Sequence, residues 1–416
     1  MNAIKGLARV GVVFSLSLII PVSFEREFAG WEQVSTGFAA QDAWVPVGGP
    51  VKNSRSVYVD VDASRHARGP VIAAGNSGLF LAWTEINAQG VSQLHFGEWD
   101  GKQWTMDPSP LNLDRDHQAT ELTLGTAGGN PILAWVEWDR RKKPLVYTGH
   151  RNKGTWELSE NPVNLDPLKQ SANPVIAGNR QSDPFLAWSE RDHNRVFQLH
   201  VKQFSNSGWF SVGQESLNQN PSFDSIEPDL ALDGDVPYVA WMELSENQVY
   251  QVWVKIWTGA SWSPVGSSLN MDRNHHALRP SIGILNHQPA VAWTEINPSG
   301  VSTLHVKRWT GEKWEALGSA LNMDSSRHSL SPVLKAAGEN LYLAWGEYNE
   351  ASHSRIFIRK WSGGRWESLA SPLDAAGNEL SVSPSLTPSK NGIYLSWKEV
   401  NADGFFQVSV KHKAEK

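Results

Sequence analysis

The sequence predicts an all-β fold, a seven-bladed β-propeller of four-stranded antiparallel blades. Three observations lead to it. One unit recurs every 52 or 53 residues from residue 41 to 413. Each unit holds four short stretches of strand character. The two ends of the repeat region each supply a part of a unit, and together the parts make one whole unit.

The period is set by a small residue followed by Trp-x-Glu. It occurs as Ala82-Trp83-Thr84-Glu85 and again at Trp135/Glu137, Trp188/Glu190, Trp241/Glu243, Trp293/Glu295, Trp345/Glu347 and Trp397/Glu399. A period near fifty with four strands per unit is the pattern of propeller blades. Strand one follows a Pro, as in Pro280-Ser281-Ile282. Strand two is the apolar run that ends in Trp-x-Glu. Strand three alternates, as in Leu304-His305-Val306-Lys307. Strand four opens on a second Trp, as in Trp314-Glu315-Ala316. Turn signals such as Asn297-Pro298-Ser299-Gly300 separate them. Because side chains alternate along a strand, Leu81, Trp83 and Glu85 share one face and Phe80, Ala82 and Thr84 the other. Large residues opposite small ones let stacked sheets interlock. Of the 21 Trp, 18 occupy three recurring positions, as such packing requires.

Before the repeat, Lys5 and Arg9 precede the apolar run from Val10 to Ile20. That run is short for a membrane span and fits an export signal, with an uncleaved N-terminal anchor as the alternative. Residues 1–24 are therefore expected to be a signal peptide or anchor, and 25–40 a linker or cap. The propeller is expected over 41–413 as a single domain. Residues 41–48 match only the start of strand four, whereas the last unit supplies strands one to three. The N-terminal strand is thus expected to complete the last blade and close the ring, removing a free sheet edge. The step from strand four to the next strand one is 18 or 19 residues in the copies compared but 26 from Trp44 to Pro70, an insertion of eight around Asn53 to Val59.

The chain has 37 basic and 43 acidic residues, a net charge of −6, and no Cys. This gives no basic footprint for nucleic acid and excludes disulfides and thiolate chemistry. No phosphate loop, Gly-x-Ser-x-Gly, HExxH or Rossmann fingerprint is present.

Candidate sites lie in the loop from strand four to the next strand one, counted back from the Pro position. Eight residues before it stand Asp62, Asp114, Asp166, Asn220, Asp272, Asp324 and Ala376. A short carboxylate in a tight turn bonds nearby backbone N–H groups, so a structural role is expected; a carboxylate ring holding calcium is the alternative. The strand-two Glu residues are expected to accept hydrogen bonds from the neighbouring loop. Three before the Pro the residue is always Ala or Ser. Four before it stand His66, Gln118, Gln170, Asp224, His276, His328 and Leu380. One before it stand Gly69, Glu121, Asn173, Glu227, Arg279, Ser331 and Ser383. Positions that stay polar yet differ among blades suit an asymmetric ligand. His66, Gln118, Gln170, Asp224, His276, His328, Glu121, Glu227 and Arg279 are therefore the candidate ligand-binding residues at the channel mouth. His95, His200 and His305 share an offset in strand three with Trp253 and Phe357, which points to packing. Repeated rim aromatics such as Trp309 and Trp314 are expected to pin the outer strand, or, if exposed, to stack on sugars.

The unit resembles the Trp-rich propeller repeats of exported bacterial proteins, most of them uncharacterised. The layout also looks like kelch, tectonin-lectin and sialidase propellers. It lacks the Gly-Gly pair that ends strand two in kelch blades and the Ser-x-Asp-x-Gly-x-x-Trp box of sialidases, so sialidase activity is not expected. The resemblance and the missing enzyme motifs imply an exported, non-enzymatic scaffold in the periplasm, at the cell surface or outside the cell. Its expected partner is an envelope or extracellular protein. A multivalent lectin that binds glycan is the first alternative, and a glycan-cleaving enzyme the second. No cofactor is expected beyond the calcium alternative, and membrane contact only through an uncleaved N-terminal segment.

Overall fold

The computed structural model describes residues 44–48, 58–179, 182–205, 208–213, 216–349, 353–370, 372–373 and 380–415. The expected signal and linker segments, and most of the eight-residue insertion, lie outside these. The described residues form seven four-stranded antiparallel sheets. Blade 1 comprises Ala67–Ala74, Leu79–Ile86, Ser92–Trp99 and Trp104–Met106. Blades 2 to 6 repeat this order over 119–158, 171–211, 225–264, 277–316 and 328–370.

Blade 7 closes the ring. Its first three strands are Ser381–Ser389, Gly392–Val400 and Phe406–Lys413, and its fourth is Val45–Pro46 from the start of the chain. Val45 pairs with His412 and Pro46 with Lys411. Val47 N–H then donates to Val410 O and Val59 N–H to Val408 O, both at 3.0 Å. In blade 5 the equivalent two bonds start from Leu317 and Leu321. The two donors are twelve residues apart along the chain here and four in blade 5, so the eight extra residues fall between two bonds that are otherwise kept.

The strand-two Trp holds neighbouring blades together. All seven are fully buried. Trp345 packs against blade 5 around Ala292, Trp293 against blade 4 around Ala240, and Trp135 against blade 1 around Ala82. This is the large-against-small interlocking that the alternation predicts, and truncating one such Trp costs about 3–5 kcal/mol. At the rim, strand-four Trp residues are half-buried and reach across the same seams. Trp314 Nε1 donates to Val265 O at 2.8 Å, Trp262 Nε1 to Val212 O at 2.9 Å and Trp104 Nε1 to Val47 O at 3.0 Å. Trp309 and Trp314 lie directly opposite each other, with ring centroids 5.5 Å apart, so they pin the outer hairpin as expected.

Strand one is innermost and lines the channel. In each blade its register slips by one residue around the Pro position, which is Leu122 in blade 2. The residue just before that position has positive φ in every blade, from 49° to 59°: Gly69, Glu121, Asn173, Glu227, Arg279, Ser331 and Ser383. Six of these are not glycine, so the bulge holds a conformation that L residues otherwise rarely adopt.

Candidate functional site

The loops that enter strand one are built by the strand-two Glu. Glu190 accepts from Leu165 N–H at 2.9 Å, Asp166 N–H at 2.8 Å and its own strand's Trp188 Nε1 at 3.0 Å. Glu137, Glu243 and Glu295 repeat the arrangement. These carboxylates are almost wholly buried, and the small residue three before the Pro lies directly opposite, as Ser225 does to Glu243. The loop aspartates close turns. Asp114 accepts from Asp116 N–H, Asp166 from Leu168 N–H and Asp272 from Asn274 N–H at 2.8–3.0 Å. Asp62 and Asp324 each take the backbone N–H and hydroxyl of a following Ser. Hydrogen bonds of this kind hold the Asp62, Asp114, Asp272 and Asp324 carboxyls below the usual carboxylate range. These five aspartates of the calcium alternative stand one per blade entry, and no group of three metal-ligating side chains is present among the described residues.

The residue four before the Pro bonds across a blade seam. It accepts the first strand-three N–H of the preceding blade. Gln118 Oε1 takes Ser92 N–H at 2.8 Å and Asp224 Oδ1 takes Phe197 N–H at 2.7 Å. His276 Nδ1 takes Tyr250 N–H, His328 Nδ1 takes Ser302 N–H and His66 Nδ1 takes Phe406 N–H, all at 3.2 Å. His, Gln and Asp are interchangeable here because each presents one acceptor at a similar reach. Gln170 faces the seam where the strand-three residue is Pro144, which has no N–H to donate.

The residue just before the Pro points into the channel, and the structure links five consecutive copies there. Asn173 donates its backbone N–H to Glu121, and Glu227 N–H donates to Asn173 Oδ1 at 3.3 Å. Arg279 Nε lies 3.9 Å from Glu227 Oε2, and Arg279 Nη1 donates to Ser331 Oγ at 2.9 Å. Glu121, Glu227 and Arg279 are thus gathered on one arc. The opposite arc carries only Ser383 and Gly69. Burial pushes the Glu121 carboxyl up to about 7, against the hydrogen bond from Asn173. Burial also raises Glu227, opposed by the Arg279 charge. The side chains of Glu227 and Arg279 remain 25% and 28% exposed, so the arc meets solvent in the channel. It offers acceptors, a guanidinium and a carboxyl that can hold a proton near neutrality.

Strand-three histidines stack on the strand-two Trp. Ring centroids of His95, His200 and His305 lie 5.7–5.8 Å from Trp83, Trp188 and Trp293. Burial pushes all three imidazoles down, His200 to about 4, so they pack as neutral rings.

Two further features face outward. The 2–3 loops and the loops entering strand one share one face, since Gln118 Nε2 bonds Gly90 O and Asn401 Nδ2 bonds Ala63 O, both at 3.1 Å. On that face, Val61, Leu113, Leu165, Met271 and Met323 occupy one repeat position and are 37–57% exposed. The strand-two Glu holds the backbone N–H of each, leaving the side chain in solvent. The signal was present in the sequence as an apolar residue directly before the loop acid. A cleft of about 580 Å³ lies over blade 1, between Val61, Arg65, Gln93, His95, Pro110 and Arg115.

No protein-family profile matches the chain, and no curated protein matches it. Among solved structures, it is similar to a protein of unknown function from Dyadobacter fermentans DSM 18053. That likeness has 13% identity and a TM-score of 0.51, covering 86% of this chain and 96% of the other. A Trypanosoma rangeli sialidase matches at 10% identity with a TM-score of 0.46, covering 88% of this chain and 59% of the sialidase. A thermostable family-43 glycoside hydrolase matches at 10% identity with a TM-score of 0.41, over 62% of this chain and 94% of the other. Identities this low speak to the fold alone.

Proposed function

We propose that the chain is an exported, non-enzymatic propeller that binds a protein partner through its loop face, at the cell envelope or outside the cell. The observation that carries this reading is the circle of Val61, Leu113, Leu165, Met271 and Met323. Exposed apolar side chains repeated around one face are unlike the scattered apolar residues of an ordinary surface and suit protein docking. The repeated strand-two carboxylates support a binding role as well, because Glu85, Glu137, Glu190, Glu243, Glu295 and Glu347 are committed to backbone hydrogen bonds within the loops, and Glu399 to Ser409 and Trp397. The half-buried rim Trp residues turn their indole N–H groups toward neighbouring blades, which favours a protein partner over stacked sugars. Export rests on Lys5, Arg9 and the apolar run that follows them.

The test is an affinity pull-down from the native envelope fraction with the tagged full chain and with a Leu165→Ser/Met271→Ser/Met323→Ser variant, each with and without free sugars. One protein recovered in fixed ratio by the natural chain, indifferent to sugar and lost with the variant, is the expected result. Polysaccharide or glycoprotein recovered equally by both chains and released by a simple sugar overturns it in favour of a lectin.

A further inference from the structure

Two repeat positions that are uncharged in every other copy become basic at a single seam. The residue after the strand-two Trp is Lys398 in blade 7, where other blades carry residues such as Thr84 or Met242. The residue two before the strand-one Pro is Arg68 in blade 1, where others carry residues such as Ala172 or Ile226. Elsewhere these positions pack as an apolar cluster that includes Ala172, Ile226 and Met242. Strand one of blade 1 lies against blade 7, so Arg68 and Lys398 meet across the closing seam.

Among the described residues the pair has no counter-charge: Arg68 and Lys398 pair with neighbouring strands through their main chains, but neither side chain makes a hydrogen bond or ion pair. Burial, followed by repulsion from Arg68, pushes the Lys398 ammonium down to about 8. Burial, then Arg68 and Lys398, lowers the His66 imidazole, and no carboxylate acts on either group. Other inward lysines are matched differently: Lys202, Lys255 and Lys307 each donate to a main-chain carbonyl at 2.6–2.8 Å. A half-buried ammonium and a guanidinium held together without an acid are destabilising unless an anion joins them.

The surroundings suit an anion. Lys398 Nζ lies 4.6 Å above the Phe406 ring, and His66 packs against Phe405 and Phe406 with centroids 5.2 and 6.0 Å away. Because His66 Nδ1 accepts the Phe406 N–H, the proton of the neutral ring sits on Nε2, which is then a donor. Next to Arg68, Gly69 is the one copy of its position without a side chain. A Cβ there would meet nothing within 4 Å, so the space at Gly69 is open, and Arg68 itself is exposed.

We propose that Lys398, Arg68 and His66 form an oxyanion-binding site at the seam of blades 7 and 1, for a ligand's carboxylate or phosphoryl group. The site stands independently of the loop-face reading. Calorimetric titration and thermal melting of the full chain with inorganic phosphate and with acetate, against chloride at matched ionic strength, test it. One-to-one binding of phosphate or acetate is expected, with about a tenfold loss in the exposed-site variant Arg68→Gln. Lys398→Met should abolish binding yet melt higher than the natural chain without anion. Binding of phosphate alone assigns a phosphoryl ligand, of acetate alone a carboxylate, and of both a general oxyanion site. No binding beyond chloride, or equal binding by the natural chain and Arg68→Gln, overturns the proposal.

Discussion

Replacing Asp60 with Asn should stabilise this protein, increasingly so as pH rises. In five copies the residue ten before the strand-one Pro position is Asn: Asn112, Asn164, Asn218, Asn270 and Asn322. Asn112 shows its work. Its Oδ1 accepts Leu94 N–H at 2.7 Å, and its Nδ2 donates to Ser92 O at 3.1 Å and His117 O at 2.7 Å. Asp60 keeps only the first bond, accepting Val408 N–H at 2.8 Å. Among the described residues, its Oδ2 is buried without a partner. The two carbonyls that an amide would have served, Phe406 O and Arg65 O, are taken by Gln407 Nε2 at 2.9 Å. Burial, reinforced by the Glu85 charge and opposed by the Val408 bond, pushes the Asp60 carboxyl up to about 8. A carboxyl raised on folding binds its proton more tightly in the native state. Its contribution to stability is therefore fully present below about pH 4 and is lost as pH rises through about 8. At pH 7 the unfolded chain is ionised while the native one is protonated, a penalty of about 2–4 kcal/mol. Asn does not titrate. The stability difference between Asp60→Asn and the natural chain should grow from pH 5 to 8 with a slope of up to ~1.4 kcal/mol per pH unit. Urea unfolding of both proteins at half-unit pH steps measures it, and subtraction cancels the titrating groups that do not interact with Asp60. A difference that stays constant with pH, or a less stable Asn variant at pH 7.5, would refute the reasoning.

The seam acceptors make a paired prediction. His276→Leu strands the Tyr250 N–H and should cost about 1–2 kcal/mol in urea unfolding, whereas Gln170→Leu, facing Pro144, should change stability by less than about 0.5 kcal/mol; equal losses would show that the side chains act by packing alone. Deleting residues 41–52 removes the strand that pairs with Lys411 and His412. It should lower the melting temperature and promote association through the bared edge of Phe406–Lys413, and an unchanged, monodisperse protein would sink the closure.

The architecture was legible because each of its causes operates within one unit or between identical units. Alternation around Trp83 placed the large and small faces, and the same unit repeated seven times had to interlock with itself. The incomplete ends, Trp44 with its short strand and the three strands around Trp397, identified the closing blade by arithmetic. Turn aspartates such as Asp166 were readable because they bond residues two positions away. Tertiary structure decided whatever crosses a seam. Sequence marked His276 and Gln170 as equivalent variable positions; only the ring shows that one meets an N–H and the other a proline. Glu121, Glu227 and Arg279 stand 106 and 52 residues apart along the chain. A bulge with positive φ turns each toward the axis, and closure brings them onto one hydrogen-bonded arc. Lys398 and Arg68 lie near opposite ends of the chain and become neighbours only when blade 7 meets blade 1. Local hydrogen bonds and side-chain periodicity are written in short stretches of residues. The surroundings of a charge depend on which distant strands the closed ring sets beside it.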